Sequence, residues 1–233
     1  MSYEEWPRRN DEAIPGDTTP DAESTEPMVD LAAAALLMIE LGAEVLESDD
    51  IGVAALQYVS GGLPVFPVSR TTKRPAILSP HPESERGLCR GECGQDGHGF
   101  HDATTDLAKI IEWWSGRYRG YNIGARPPRG SMVLDIDDLL LLQRMQVRGL
   151  PKTLTTISGR SDGGVHLWFR RPSGKLSART LPGADLRLFE NGFVVAPPSV
   201  HPKTGRRYRW AWGRTEVAAC PEWLADMLRG GEW

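Results

Sequence analysis

Val133-Leu134-Asp135-Ile136-Asp137-Asp138 follows the lead-in Ser131-Met132. The run reads as a buried strand that ends in carboxylates. Side chains alternate faces along a strand, so Asp135 and Asp137 share one face with Ile136 between them on the other. Two carboxylates held side by side repel each other and resist losing water. A hard cation between them offsets both costs, and oxygen donors suit Mg²⁺ or Mn²⁺. The same acids also suit the first turn of a following helix. Two acids at this spacing do not choose between the two readings, so the choice rests on the surrounding sequence.

Downstream, Thr153–Ser158 is a β-branched strand that enters Gly159-Arg160-Ser161-Asp162-Gly163-Gly164 and returns as Val165-His166-Leu167-Trp168-Phe169-Arg170. This is a hairpin, and alternation turns His166 away from Val165 and Leu167. The glycine-rich turn, the imidazole and Arg160 together suit a phosphate. Gly183-Ala184-Asp185-Leu186-Arg187 adds a third acid and another base on a short strand. Asn191-Gly192 is a turn. Phe193–Ala196 is a buried strand leading to Pro197-Pro198-Ser199-Val200-His201. Arg207–Trp210 alternates bases and aromatics as a strand, and Glu222–Arg229 is a helix.

Upstream, Asp30–Leu46 and Ile51–Ser60 read as helices, and Val65–Val68 as a strand followed by a basic loop, Arg70 to Pro75. Thr104-Thr105-Asp106 caps a helix that runs to about Tyr118. Between these, residues 81–101 are loop-like and hold Cys89, Cys93, His98 and His101. Two thiolates and two imidazoles suit tetrahedral Zn²⁺, which would staple a segment too short to have its own core. His81 is a substitute ligand. Cys220 stands far off in sequence and reads as a buried thiol.

The chain has 233 residues, 40% of them hydrophobic, enough for a real core. Residues 1–50 hold 14 acids and 2 bases, a net −12; residues 51–233 hold 17 acids and 25 bases, a net +8. A basic body with an acidic appendage suits a polyanionic partner. Three cysteines make no disulfide framework, which points to a reducing cytoplasm. Residues 1–28 are acidic and proline-rich with no apolar core, so they read as a disordered tail and not as a secretory signal. No run is long enough to span a bilayer.

Together these residues resemble the archaeo-eukaryotic primase superfamily. The closer likeness is to its prim-pol branch, the bifunctional DNA primase/polymerase domain of phage, plasmid and other mobile replicons. Asp135 and Asp137 match its acid pair, Gly164-Val165-His166 its small-x-His motif, and Asp185 its third acid. The flanks agree as well: Leu63–Val68, Lys73-Arg74-Pro75, Tyr121–Gly124 and Ala196–His201. The likeness covers roughly Ile51 to Trp212. Arg126-Pro127-Pro128-Arg129 departs from the Thr-Gly expected there, and Leu188–Asn191 interrupts a stretch that is usually glycine-rich.

The resemblance implies a mixed α/β (α+β) fold, an RRM-like catalytic sheet with an N-terminal α/β unit beside it and the active site in the cleft between. The expected organisation is a tail over 1–28, a helix over 29–47 and the catalytic domain over 48–233. Asp135, Asp137 and Asp185 would hold two Mg²⁺ or Mn²⁺ ions for nucleotidyl transfer on a single-stranded DNA template, as a primase, a DNA polymerase or both. His166 would contact the dNTP or NTP triphosphate, aided by Arg160 and Arg187, with Ser199 and His201 nearby. No helicase segment follows Trp233, so a separate replicative helicase is an expected partner and a phage- or plasmid-encoded cytoplasmic protein the expected setting. Three alternatives stay open: a gap-filling polymerase that does not prime, a catalytically silent DNA-binding module that recruits a helicase, and a Mg²⁺-dependent nuclease.

Overall fold

A computed structural model describes residues 50–177, 181–211 and 216–230. The expected tail over 1–28 and helix over 29–47 lie outside them. The order of elements is α1 (Ile51–Ser60), β1 (Val65–Val68), α2 (Leu107–Ser115), β2 (Asn122–Ala125), β3 (Ser131–Ile136), α3 (Leu139–Val147), β4 (Thr155–Ile157), β5 (Val165–Arg170), β6 (Ala184–Arg187), β7 (Val194–Ala196), β8 (Arg209–Trp210), β9 (Ala218–Ala219) and α4 (Glu222–Arg229). The helix starts are fixed by side-chain caps. Asp50 accepts from Val53 N, Asp106 from Ala108 N and Lys109 N, and Asp138 from Leu140 N, each meeting donors that have no partner inside the helix.

The strands form two sheets, β1-β2-β7 and β6-β3-β5-β4-β8, with β9 added parallel to β5. The alternation in β3 sorts its side chains between two cores. Met132, Leu134 and Ile136 join Val165, Leu167, Phe169 and Leu186, and this face packs on Leu141, Leu142 and Met145 of α3 and Leu224 and Leu228 of α4. Val133 and Trp168 point the opposite way, into a core shared with the three-stranded sheet, α1 and α2. That second core holds Trp113 and Trp114, and Trp114 Nε1 donates to Tyr121 O at 3.0 Å. The result is the expected mixed α+β fold, one sheet with helices on one face and a small α/β unit against the other.

Three expected strands are shorter than read, β7 by its first residue, Phe193. Thr153 and Leu154 precede β4 because their polar groups turn to other segments: Thr153 Oγ1 donates to Trp168 O, and Leu154 N donates to Glu216 O. Arg207 makes only an isolated bridge to Val200, and regular pairing starts at Arg209. No helix among the described residues is long and apolar enough to cross a membrane.

Candidate active site and metal-binding loop

Register brings the candidate residues together. On β3, Asp135 lies directly opposite Asp185 of β6 on one side and His166 of β5 on the other. Directly opposed residues in an antiparallel pair project to the same face. Asp185, Asp135 and His166 therefore form a row across three strands, on the face that carries Val133 and Trp168. Asp137 lies just past the end of β3, its backbone N–H donating to Gly183 O at 3.0 Å.

Each acid meets a base. Arg160 Nη1 donates to Asp137 Oδ1 at 2.7 Å, and Arg187 Nη2 to Asp185 Oδ2 at 2.6 Å. His166 Nε2 lies 3.4 Å from Asp135 Oδ1. Arg160 also forks onto Asp162, and these carboxylates push its pKa above the arginine range. His166 is 5% exposed, and burial lowers its pKa, with Asp135 opposing. Its Nδ1 is buried without a hydrogen-bond partner.

The turn before β5 requires glycine. Gly164 has φ +132°, and a Cβ there would stand 2.8 Å from Ser158 Oγ and 3.3 Å from Arg160 Cδ. That backbone region is open to glycine alone, and the bare position lets Arg160 pass close to the chain on its way to Asp137.

A cleft of about 420 Å³ opens over Asp135 and His166 of this row; Asp185, at its end, is not among the lining residues. Asp135, Asp137, Arg160, His166 and Arg187 line it from the large sheet, and Val194 and Val195 from the small one. Several further lining residues were not singled out by the sequence. Lys73 comes from the basic loop, where Ser69 Oγ accepts from the N–H groups of Thr71 and Thr72 and tightens the turn. Burial lowers its pKa, while the charges of Asp135 and Asp137 oppose the effect. Tyr208 faces the cleft under the Lys73 ammonium, 5.7 Å from ring centroid to Nζ; the alternation of bases and aromatics over 207–210 was its only signal. Phe100, Ser158, Asn191, Gly192 and Phe193 complete the rim.

Ser199 and His201 are not brought to the cleft wall. Ser199 is fully buried, and its hydroxyl accepts from Ile123 N at 2.8 Å, tying the proline-rich loop to β2. His201 is buried beside Thr204 Oγ1, 3.4 Å from Nδ1, and burial lowers its pKa. These contacts account for both side chains within the fold.

The Cys/His loop gathers as expected with one exchange. His81, Cys89, Cys93 and His98 place one ligand atom each within 4.8 Å of all the others. His98 Nε2 is 3.1 Å from His81 Nε2 and 3.4 Å from Cys93 Sγ. His101 is not in the group: it follows His98 in a 3-10 turn, Gly99–Asp102, and stacks on Phe100 with centroids 4.2 Å apart. His81 takes its place because residues 78 and 97 cross. A Cβ on Gly97 would meet Leu78 O at 2.1 Å, so only glycine permits the crossing. Sequence spacing could not show this contact. Cys220 lies outside the cluster as a half-buried free thiol.

A family model described as the N-terminal domain of bifunctional DNA primase/polymerase, Prim-Pol, matches residues 55–223, most of the chain. No curated protein matches it as a relative.

Proposed function

The chain belongs to the bifunctional DNA primase/polymerase family, and from that membership we propose that it joins nucleotides on a single-stranded DNA template, as the replication enzyme of a phage or plasmid. The family's activity is nucleotidyl transfer by DNA primases and polymerases, with DNA and nucleotides as substrates and divalent metal ions as cofactors. The observation that carries the reading here is the row Asp185–Asp135–His166, with Asp137 beside it, at a cleft rimmed by Lys73, Arg160 and Arg187.

The donor set fits hard cations. Two carboxylates on one face, Asp135 and Asp185, and a third just past the strand end, Asp137, offer oxygen ligands to Mg²⁺ or Mn²⁺. When bound, a pair of such ions activates the attacking 3′-hydroxyl and steadies the leaving oxygens. The chain's own residues do the rest. Asp135, Asp137 and Asp185 would hold the metal ions, and Arg160 and Arg187, now paired with Asp137 and Asp185, would be placed to meet the phosphates. Lys73 meets the triphosphate from the opposite wall. His166, neutral because it is buried, holds the Asp135 carboxylate in place and presents its ring to the cleft. The loop set of two imidazoles and two thiolates takes a different metal, since mixed N/S donors select zinc over magnesium.

Template-directed incorporation tests the reading. With labelled nucleotides, Mg²⁺ or Mn²⁺ and single-stranded DNA, the protein should incorporate nucleotide when a primer is supplied. Product without a primer makes it a primase. Asp135→Asn and Asp137→Asn should abolish product while leaving thermal melting and DNA binding near wild type. Near-normal turnover in either variant removes the metal-binding role of the acid pair.

A further inference from the structure

The metal-binding loop reaches the cleft through two residues. His98 is a candidate ligand, and Phe100 lines the cleft wall. The connection between them is stiff. Asp102 is buried, and its carboxylate accepts from Gly97 N at 2.9 Å and from His98 N at 3.0 Å, closing the turn over residues 97–102. Asp102 Oδ1 also lies 3.5 Å from His98 Nδ1, the ring nitrogen turned away from the cluster. A carboxylate behind a metal-bound histidine fixes the ring orientation. Both side chains are 2–3% exposed, and His98 Nδ1, which has no hydrogen-bond partner, has this carboxylate as its neighbour.

Phe100 then starts a stacked column. The Arg126 guanidinium lies 5.2 Å from its ring and 3.6 Å from that of Phe189, and Arg129 covers the far side of Phe189 at 4.0 Å. Arg126 is buried, and its Nε donates to Phe189 O at 2.9 Å. Phe189 begins the turn whose Asn191 and Gly192 line the cleft.

The cluster itself suits zinc. A tetrahedron with Zn–N of about 2.0–2.1 Å and Zn–S of about 2.3 Å has donor–donor edges of roughly 3.3–3.8 Å. The 3.1 and 3.4 Å contacts, with every donor inside 4.8 Å, need only small side-chain shifts to match.

We infer that His81, Cys89, Cys93 and His98 bind one structural zinc, and that this zinc sets the nucleotide-facing wall of the cleft by fixing Phe100 and the Arg126–Phe189 column. The second half rests on the nucleotidyl-transfer reading; the first does not. Without the metal, the loop loses the link between the segments that carry His81, Cys89, Cys93 and His98, and Phe100 loses the support that holds its ring at the wall.

The test uses the full chain purified without chelator. Metal analysis should find about one zinc per chain. His81→Ala and Cys93→Ser should lose it, while His81→Cys, which restores a donor, and His101→Ala should keep it. No zinc in wild type, or loss in His101→Ala with retention in His81→Ala, overturns the ligand set. Binding of dATP and of ATP, with Mg²⁺ and no DNA, is then measured before and after a zinc-selective chelator that spares magnesium. Wild type should weaken about ten-fold on zinc removal, the size of one lost aromatic contact. Phe100→Ala should start about ten-fold weak with its zinc in place and lose little more on removal. Equal affinity in zinc-free and zinc-loaded wild type, at unchanged far-UV circular dichroism, overturns the coupling. Full zinc content with no nucleotide binding overturns the cleft reading together with the coupling, and leaves the metal site standing.

Discussion

Lys73 occupies a position that is costly twice over. Its φ is +58°, in the left-handed region, and burial lowers its ammonium pKa. Left-handed backbone at a residue with a Cβ costs on the order of 1–2 kcal/mol, and such costs persist where the fold needs the side chain in one place. The sequence showed a basic loop but not which base enters the cleft. Arg70 and Arg74 stay exposed, and only the turn closed by Ser69 separates Lys73 from them. Lys73→Ala should lower kcat/KM about ten- to a hundred-fold, mainly through nucleotide KM, as expected for one lost contact to a charged phosphate. Lys73→Gly should lose the same activity but melt higher than the alanine variant, because glycine relieves the backbone. Equal kcat/KM in wild type and Lys73→Ala removes the residue from nucleotide binding. Cys220 gives a separate check on burial. Its thiol is pushed up to about 12, first by burial and then by Glu222. At pH 8 it stays protonated, and the thiolate is the reactive form. Iodoacetamide should therefore label Cys89 and Cys93 of metal-free protein well before Cys220, as read by peptide mass; early labelling of Cys220 contradicts its burial.

The turn between β4 and β5 does for the hairpin what Ser69 does for the loop. Two-residue alternation was legible in the sequence, and it put Asp135 and His166 each on the correct face of its own strand. Which residue of β5 stands opposite Asp135 was not legible, because register depends on pairing across strands, and a slip of one residue would turn every side chain over. The structure sets His166 directly beside Asp135, so the histidine belongs with the acids although 30 residues separate them. The same limit hid His81, whose approach to His98 depends on a chain crossing and not on spacing. Gly164 tests the turn. Gly164→Ala introduces a side chain at φ +132°, where its Cβ presses on Ser158 and Arg160. A strained alanine at such a position destabilises by more than about 1 kcal/mol. Melting temperature should fall, and incorporation should fall further than melting alone explains, because Arg160 is displaced from Asp137. Wild-type incorporation in Gly164→Ala would show that the Arg160–Asp137 contact is not needed for turnover.

Across the whole molecule, the two sheets meet through Val133, Trp168 and Tyr208, and the cleft opens where that shared core ends. Local pattern named most of the strands but could not show that β2 pairs with β7, some 70 residues on. The family resemblance implied a two-part fold but not this pairing, since contact at such a distance leaves no periodic trace. Charge was legible at this scale and carries the final prediction. Residues 51–233 hold a net +8, whereas residues 1–28 alone hold 8 acids and 2 bases. A basic body binds DNA phosphates with a steep salt dependence, and an acidic segment on the same chain competes for the same surface. Removing residues 1–28 should thus strengthen single-stranded DNA binding several-fold at about 50 mM salt. The gain should shrink above about 0.3 M salt, where exposed charges are screened over a few ångströms. Primer extension on a saturating template should be unchanged, because the candidate site residues Asp135, Asp137, His166 and Asp185 all lie in the body that remains. Titrating labelled single-stranded DNA against both chains at the two salt concentrations decides the matter. Equal affinity at low salt means the acidic segment does not reach the DNA surface, and lost extension at saturating template means it takes part in the catalytic body.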